Sequence, residues 1–274
     1  MNILEKIVAH KQKEVDERKD LVPVKLLERS IYFDNQVVSM KKYVTHPEKT
    51  GIIAEFKRKS PSKGMINVSS SVEKTTIGYM QAGASALSVL TDKEFFGGTN
   101  EDLILARRFN FCPILRKDFV VEEYQIIEAK SIGADCILLI AAVLEPARLK
   151  ELARFAHQLG LEVLMEVHDF EELDRSLNEH LDLVGVNNRN LKTFEVSLDT
   201  SLELVGKIPS EFLKISESGI SSPSTLVKLK AAGFDGFLIG ENFMKSSRPY
   251  QAASNFMNEF RKLSVGVEFS SHSS

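Results

Sequence analysis

The chain has 274 residues, 43% hydrophobic and 27% charged, and 35 Lys and Arg against 38 Asp and Glu leave a net charge of −3. Extended disorder and collagen-like repeats are excluded by that composition, and the broad basic surface of a nucleic-acid binder by the charge balance. A local basic pocket for a small anion remains compatible with both.

In chain order, residues 1–50 come first. Ile3, Leu4, Ile7 and Val8 fall at helical spacing with Lys and Glu on the other face, which predicts a helical extension packed on the body of the protein. The opening MNILEKIVAHKQKEV lacks the unbroken apolar core of a signal peptide, and no run approaches the roughly 20 apolar residues of a membrane span. The cytoplasm is the expected compartment, with neither membrane nor nucleic acid as a partner. From residue 51 a short apolar run alternates with a helix-like stretch. The runs are GIIAEFKR (51–58), ALSVLTD (86–92), CPILRKDF (112–119), DCILLI (135–140), EVLMEV (162–167), LVGVNNR (183–189), FLKISESG (212–219) and GFLIGENF (236–243). Between them, 145–160 and 222–233 have helical period, the second opening on Ser222-Pro223 and closing on Gly233. Near-continuous Ile, Leu and Val strands imply a parallel sheet covered by helices. Eight such units, with no G-x-G-x-x-G after the first, predict an α/β protein with a (β/α)8 TIM barrel over 51–262 rather than an open doubly wound sheet. Residues 263–274 read as a frayed tail. Cys112 and Cys136 lie in apolar runs without metal-ligand spacing, so they read as buried thiols of a reducing compartment, and no metal is expected.

Charged residues late in apolar strands stand out, because barrel sites lie at the C-terminal strand ends. The first strand ends in Glu55 and Lys57, two residues apart and so on one face. Lys117, Glu166, Asn187 and the run Glu217-Ser218-Gly219 end later strands. Buried ion pairs contribute little net stability, so five ionisable groups at four strand ends point to catalysis. Two crowded, partly desolvated ammoniums would have lowered pKa values, and the glutamates push them back up. Such a mouth can hold a protonated lysine as general acid beside an ionised glutamate as base. Gly219 and Gly240-Glu241 follow the last two strands, where barrels often bind phosphate through backbone N–H groups. Together with Lys57 and Ser60-Pro61-Ser62-Lys63-Gly64 on the first loop, they make a phosphorylated small molecule the expected substrate. A side chain at Gly240 is expected to intrude on the anion and weaken binding, mainly in KM.

The segments IIAEFKRKSPSKG, LSVLTDKEFFGG, PILRKDFVVEEYQI, GVNNRNL, SESGI and GFLIGENFM resemble those of indole-3-glycerol phosphate synthase, in that family's order and over nearly the whole chain. The resemblance implies tryptophan biosynthesis. The implied reaction closes 1-(2-carboxyphenylamino)-1-deoxyribulose 5-phosphate to indole-3-glycerol phosphate, with loss of carbon dioxide and water. By the same resemblance Lys117 is the general acid at the ribulose carbonyl and Glu166 the acid/base of dehydration. Lys57 assists at the hydroxyl or phosphate, Glu55 orients the lysines, and Asn187 and Ser218 position polar groups. The division of labour between the lysines stays open. Phe96, Phe119, Leu138 and Leu191 match the wall around the anthranilate ring, with ordinary core packing as their alternative. Arg189 is matched to the substrate carboxylate, with a surface ion pair as its alternative. Ser60, Glu217, Gly219, Gly240 and Glu241 complete the binding set. Glu241 stands where related barrels often carry a small hydroxyl residue, so its carboxylate is expected to turn outward while its N–H serves the phosphate. No cofactor is expected, because decarboxylation itself restores the aromatic ring. The chain is expected to be a monomer or weak oligomer, without a fused second barrel. A phosphoribosylanthranilate isomerase-like enzyme would need a Cys/Asp or Asp/Asp pair, and Cys112 lies early in its strand. A catalytically silent phosphate-binding scaffold would have no use for the Glu and Lys set.

Overall fold

The structure, a computed structural model, describes residues 3–271. Eight parallel strands close into a barrel: β1 (Ile52–Phe56), β2 (Ala86–Leu90), β3 (Ile114–Lys117), β4 (Cys136–Ile140), β5 (Glu162–Val167), β6 (Leu183–Asn187), β7 (Leu213–Glu217) and β8 (Gly236–Ile239). Each lies within a run read from the sequence. Closure is visible at Ala54, which is in register with Leu87 on one side and Ile239 on the other. The fold is a TIM barrel.

Strand parity sorts the side chains. Ile53, Leu115, Leu138, Leu164, Leu183, Ile215 and Leu238 fill the interior, whereas Ile52, Ala54, Val89, Ile137 and Val163 pack outward under the helices. The interior parity continues upward to Glu55, Lys117, Glu166, Asn187 and Glu217. The expected helices run Pro146–Gln158 and Pro223–Ala232; in the second, Ser222 Oγ accepts from Thr225 N–H and Gly233 takes φ 112°.

The N-terminal extension contacts both ends of the barrel. A short helix, Met40–Val44, sits under the N-terminal strand ends, where Glu162 at the start of β5 accepts from Met40 N–H at 2.7 Å and Ser39 Oγ at 2.6 Å. Helix α1 (Ile3–Leu21) lies at the opposite end, over the tops of β2 and β3. The last helix spans Pro249–Ser271, so the stretch expected to fray is helical as far as Ser271 and continues the helix that packs on the barrel; 272–274 lie outside the described residues. Cys112 and Cys136 are buried and unpaired, and burial pushes the Cys112 thiol up to about 12. Among the described residues no helix is long and apolar enough to cross a membrane, and no three His, Cys, Asp or Glu cluster as a metal site.

Candidate active site

A cavity of about 390 Å³ opens at the C-terminal strand ends, and every site residue named from the sequence lines it. At its centre Lys117 Nζ stands 2.9 Å from Glu217 Oε2, 3.6 Å from Glu166 Oε2 and 3.8 Å from Glu55 Oε2. Lys57 Nζ lies 2.9 Å from Glu55 Oε1, and Ser88 Oγ donates to Glu55 Oε2 at 3.2 Å. Asn187 Nδ2 donates to Glu166 Oε1 at 3.2 Å.

The electrostatics follow from these contacts. Burial alone would lower the Lys117 pKa, but Glu217, Glu55 and Glu166 outweigh it and hold the proton above the ordinary lysine range. The glutamates push the lysine back up, as the sequence suggested, and three of them act on Lys117. Burial would raise Glu166, yet Lys117 and His168 bring it down to about 2. Burial raises Glu217 to about 7; Lys117 opposes the rise, and the nearby Glu166 and Glu55 reinforce it. The mouth thus separates an ionised glutamate from one poised near neutrality, the pattern that assigns acid and base roles. Glu217 Oε1 is buried without a hydrogen-bond partner, and a Cβ on Gly185 would fall 2.2 Å from it. Only glycine on β6 leaves that carboxylate room.

One flank of the cavity is apolar. Phe96 and Phe119 pack with ring centroids 6.0 Å apart, Leu138 belongs to the same cluster, and Leu191 also lines the cavity. Ile3, Leu4 and Ile7 of α1 also line it, which sequence reasoning assigned only to packing. The other flank is polar and cationic: Ser60, Lys63, Ser218, Gly219, Gly240 and Lys245 line it. Ser218 takes φ 67° and Gly219 φ 75°, a left-handed pair that turns the backbone after β7 toward the mouth. Two expectations are corrected here. Glu241 does not turn outward; its carboxylate bridges Arg189 Nη2 at 3.0 Å and Lys63 Nζ at 3.8 Å. Gly240 faces Glu55, since a Cβ there would lie 2.6 Å from Glu55 Oε1.

Lys11 and His168 escaped sequence reasoning. Lys11 of α1 is fully buried, 2.9 Å from Asp92 Oδ2 and 3.0 Å from Asp118 Oδ1. Its signal was the stripe Ile7, Lys11, Val15 at four-residue spacing, all three buried. His168 stands 3.3 Å from Glu166 Oε1 through Nε2, and 3.0 Å from Glu172 Oε2 through Nδ1. It lies two residues after Glu166, the spacing that drew attention to Glu55 and Lys57.

A family model described as indole-3-glycerol phosphate synthase matches residues 4–256. The chain belongs to the indole-3-glycerol phosphate synthase family. The synthase of that name from Bacteroides thetaiotaomicron is 47% identical over 256 residues, covering 93% of this chain and 98% of that one. Its namesake from a Polaromonas species is 44% identical over 251 residues, covering 90% and 95%. Among solved structures, tryptophan synthase subunit alpha from Legionella pneumophila superposes with a TM-score of 0.58 over 81% of this chain and 97% of that one, at 15% identity, a likeness of fold alone. Membership in the indole-3-glycerol phosphate synthase family makes the chain an enzyme, a carboxy-lyase of tryptophan biosynthesis.

Proposed function

We propose that this mouth closes the indole ring through Lys117, with Glu166 handling the later dehydration. The observation that carries the reading is a single ammonium held by three carboxylates on the floor of a cavity that is apolar on one side and cationic on the other. The apolar wall takes the anthranilate ring of 1-(2-carboxyphenylamino)-1-deoxyribulose 5-phosphate, and the cationic side takes its phosphate. Holding the ring carbon against the ribulose carbonyl supplies several kcal/mol or more, about 7–11 in well-oriented reactions.

As the ring carbon attacks, Lys117 gives a proton to the carbonyl oxygen. Carbon dioxide then leaves, and its bonding electrons restore the aromatic ring, so the chain's residues need only move protons. In dehydration the new hydroxyl takes a second proton and departs as water, while the neighbouring carbon releases one. The uncharged Lys117 recovers that released proton, and Glu166, ionised at rest, relays to the hydroxyl the proton taken up from outside the site. Lys57 and Ser88 hold Glu55, which keeps Lys117 charged before attack; Asn187 fixes the Glu166 carboxylate. Glu217, Ser218 and Gly219 border the place of the ribulose and phosphate, with Ser60, Gly240, Glu241 and Arg189 around it. Charge balance follows: an ionised carboxylate leaves as neutral carbon dioxide, so each turnover takes up one proton from solvent. A cytoplasmic setting accords with the two buried unpaired thiols.

The test is growth of indole fluorescence when the pure chain meets this substrate without added metal or nucleotide. Equal rates with wild-type protein and a Lys117→Ala variant would remove Lys117 from the chemistry.

A further inference from the structure

The proton taken up in each turnover has to reach Glu166 while substrate fills the cavity. Glu166 is buried, and one oxygen, Oε2, faces Lys117 at 3.6 Å. The other, Oε1, faces Asn187 Nδ2 and His168 Nε2. Asn187 has no proton to give at neutral pH. His168 does not line the substrate cavity; with Glu172 it lines a second cavity of about 760 Å³ on the far side of Asn187 and Arg189. Its Nδ1 is held by Glu172 Oε2 at 3.0 Å, and Glu172 Oε2 also accepts the His168 backbone N–H at 2.8 Å. The imidazole therefore lies between two carboxylates, hydrogen-bonded to Glu172 through Nδ1, with its buried Nε2 free of any hydrogen bond and 3.3 Å from Glu166 Oε1; Glu166 is catalytic in the reading above, on which this inference rests.

We propose that His168 is a positioning residue that stores the proton consumed in each turnover and delivers it to Glu166 for the dehydration step. Burial would lower its basicity, but Glu166 and Glu172 outweigh burial and raise it to about 10, so the ring is charged at neutral pH. The groups facing it are Glu166 on β5 and Glu172 on the helix Phe170–Ser176, with Lys117 and Asn187 behind Glu166 and Asp169, Arg189, Lys192 and Glu195 around the second cavity. The balance is complete. The Nε2 proton of the imidazolium passes first to the ionised Glu166, and Glu166 hands it to the departing hydroxyl. Lys117 has its proton back from the ring carbon. The cycle then ends with Lys117 charged, Glu166 ionised and His168 neutral, one proton short. Departure of product opens the mouth, and solvent returns that proton to His168 through Glu166. A permanent store suits a site whose substrate is itself the plug.

The experiment follows one turnover with two signals, carbon dioxide release and indole fluorescence. In wild-type enzyme they coincide. In His168→Gln, ring closure and carbon dioxide release keep their rate while fluorescence lags, by up to about 100-fold, the low end of what a positioned proton-transfer group contributes. In His168→Ala, imidazole entering from the second cavity restores the fluorescence rate. Glu172→Gln, which loosens the proton without removing the ring, moves the high-pH fall of kcat to lower pH and leaves the plateau unchanged. Coincident signals at wild-type rate in His168→Gln, no rescue by imidazole, or a high-pH limb that Glu172→Gln leaves in place each overturn the proposal. Glu166→Gln separates the two readings. If it too lacks the lag, the dehydration role of Glu166 fails; if it lags and His168→Gln does not, only the role of His168 fails.

Discussion

Lys117 shows how much a single residue's neighbours decide. An isolated buried ammonium would shed its proton readily, but three carboxylates within 3.8 Å fix the charged form. Such an acid gives up its proton only to a strong base, and the alkoxide that forms as the ring carbon attacks is one. Lys117→Ala is therefore expected to cost about 10²- to 10⁴-fold in single-turnover rate, with substrate binding retained; near-wild-type closure would sink the assignment. Glu217 is the pH-sensitive member, raised to about 7 by burial first and by two like charges after it. Below that pH it is neutral; above it, a further negative charge grips Lys117 and repels an anionic substrate. kcat/KM should therefore fall as pH rises through about 7, and Glu217→Gln should abolish that limb. A limb of the same position and depth in the variant would assign it to another group. The lysines and glutamates were legible in the sequence because parity and strand-end position suffice for them. His168 has the same parity relation to Glu166, but its role depends on Glu172 folding back from the next helix, a contact that strand parity alone does not reveal.

At the scale of elements, α1 joins the extension to the site. Lys11 meets Asp92 and Asp118, each just beyond a strand, and the same two carboxylates accept backbone N–H groups of the aromatic wall. Asp92 Oδ1 takes Phe96 N–H at 3.2 Å, and Asp118 Oδ1 takes Phe119 N–H at 2.8 Å. The chain of ions continues from Asp118 through Arg116 and Glu128 to Arg18, so α1 is tied at both its middle and its C-terminal end. Lys11→Met would leave buried Asp92 without its cation and Asp118 with Arg116 alone, a loss of about 3–5 kcal/mol, read as a lowered thermal midpoint and a raised KM as the lid of Ile3, Leu4 and Ile7 loosens. The sign with pH is fixed. Asp118 is held below its usual range, Lys11 and Arg116 outweighing burial, so its contribution is present above the ordinary carboxylate pKa and lost as pH falls through the folded value. The gap between wild type and variant should accordingly be widest at neutral pH and narrow in acid; a gap independent of pH would deny Asp118 its part. The helix itself was legible from its apolar spacing. Which surface it covers was not, because an amphipathic stripe shows that a face is buried and says nothing of the partner.

Over the whole molecule, a net charge of −3 has to coexist with capture of an anion, and the solution is local. Lys57, Lys63, Arg189 and Lys245 come from three loops to one cavity, and Glu241 holds two of them. The backbone loops after β7 and β8 were legible from their glycines, but the direction of a side chain at Gly240 was not, since it depends on how β8 pairs with β1. In register with that neighbour, its Cβ would strike Glu55 at 2.6 Å from Oε1 and 2.9 Å from Cβ. Gly240→Val is therefore expected to lower kcat as well as raise KM, because it displaces a carboxylate that holds both lysines; a change in KM alone would restore the simpler view of an anion displaced from the loop. Glu241→Gln isolates the anion instead. Removing the carboxylate leaves Arg189 and Lys63 without their negative partner and near none of the reacting groups, so kcat should hold while inorganic phosphate inhibits at lower concentration. Two cations no longer surrendered by a competitor gain affinity for the anion, and the gain should shrink with added salt as the pair is screened. Phosphate inhibition equal to wild type at low ionic strength would mean that the anion never meets Arg189 or Lys63, and would move its seat to the backbone of the β7 and β8 loops alone.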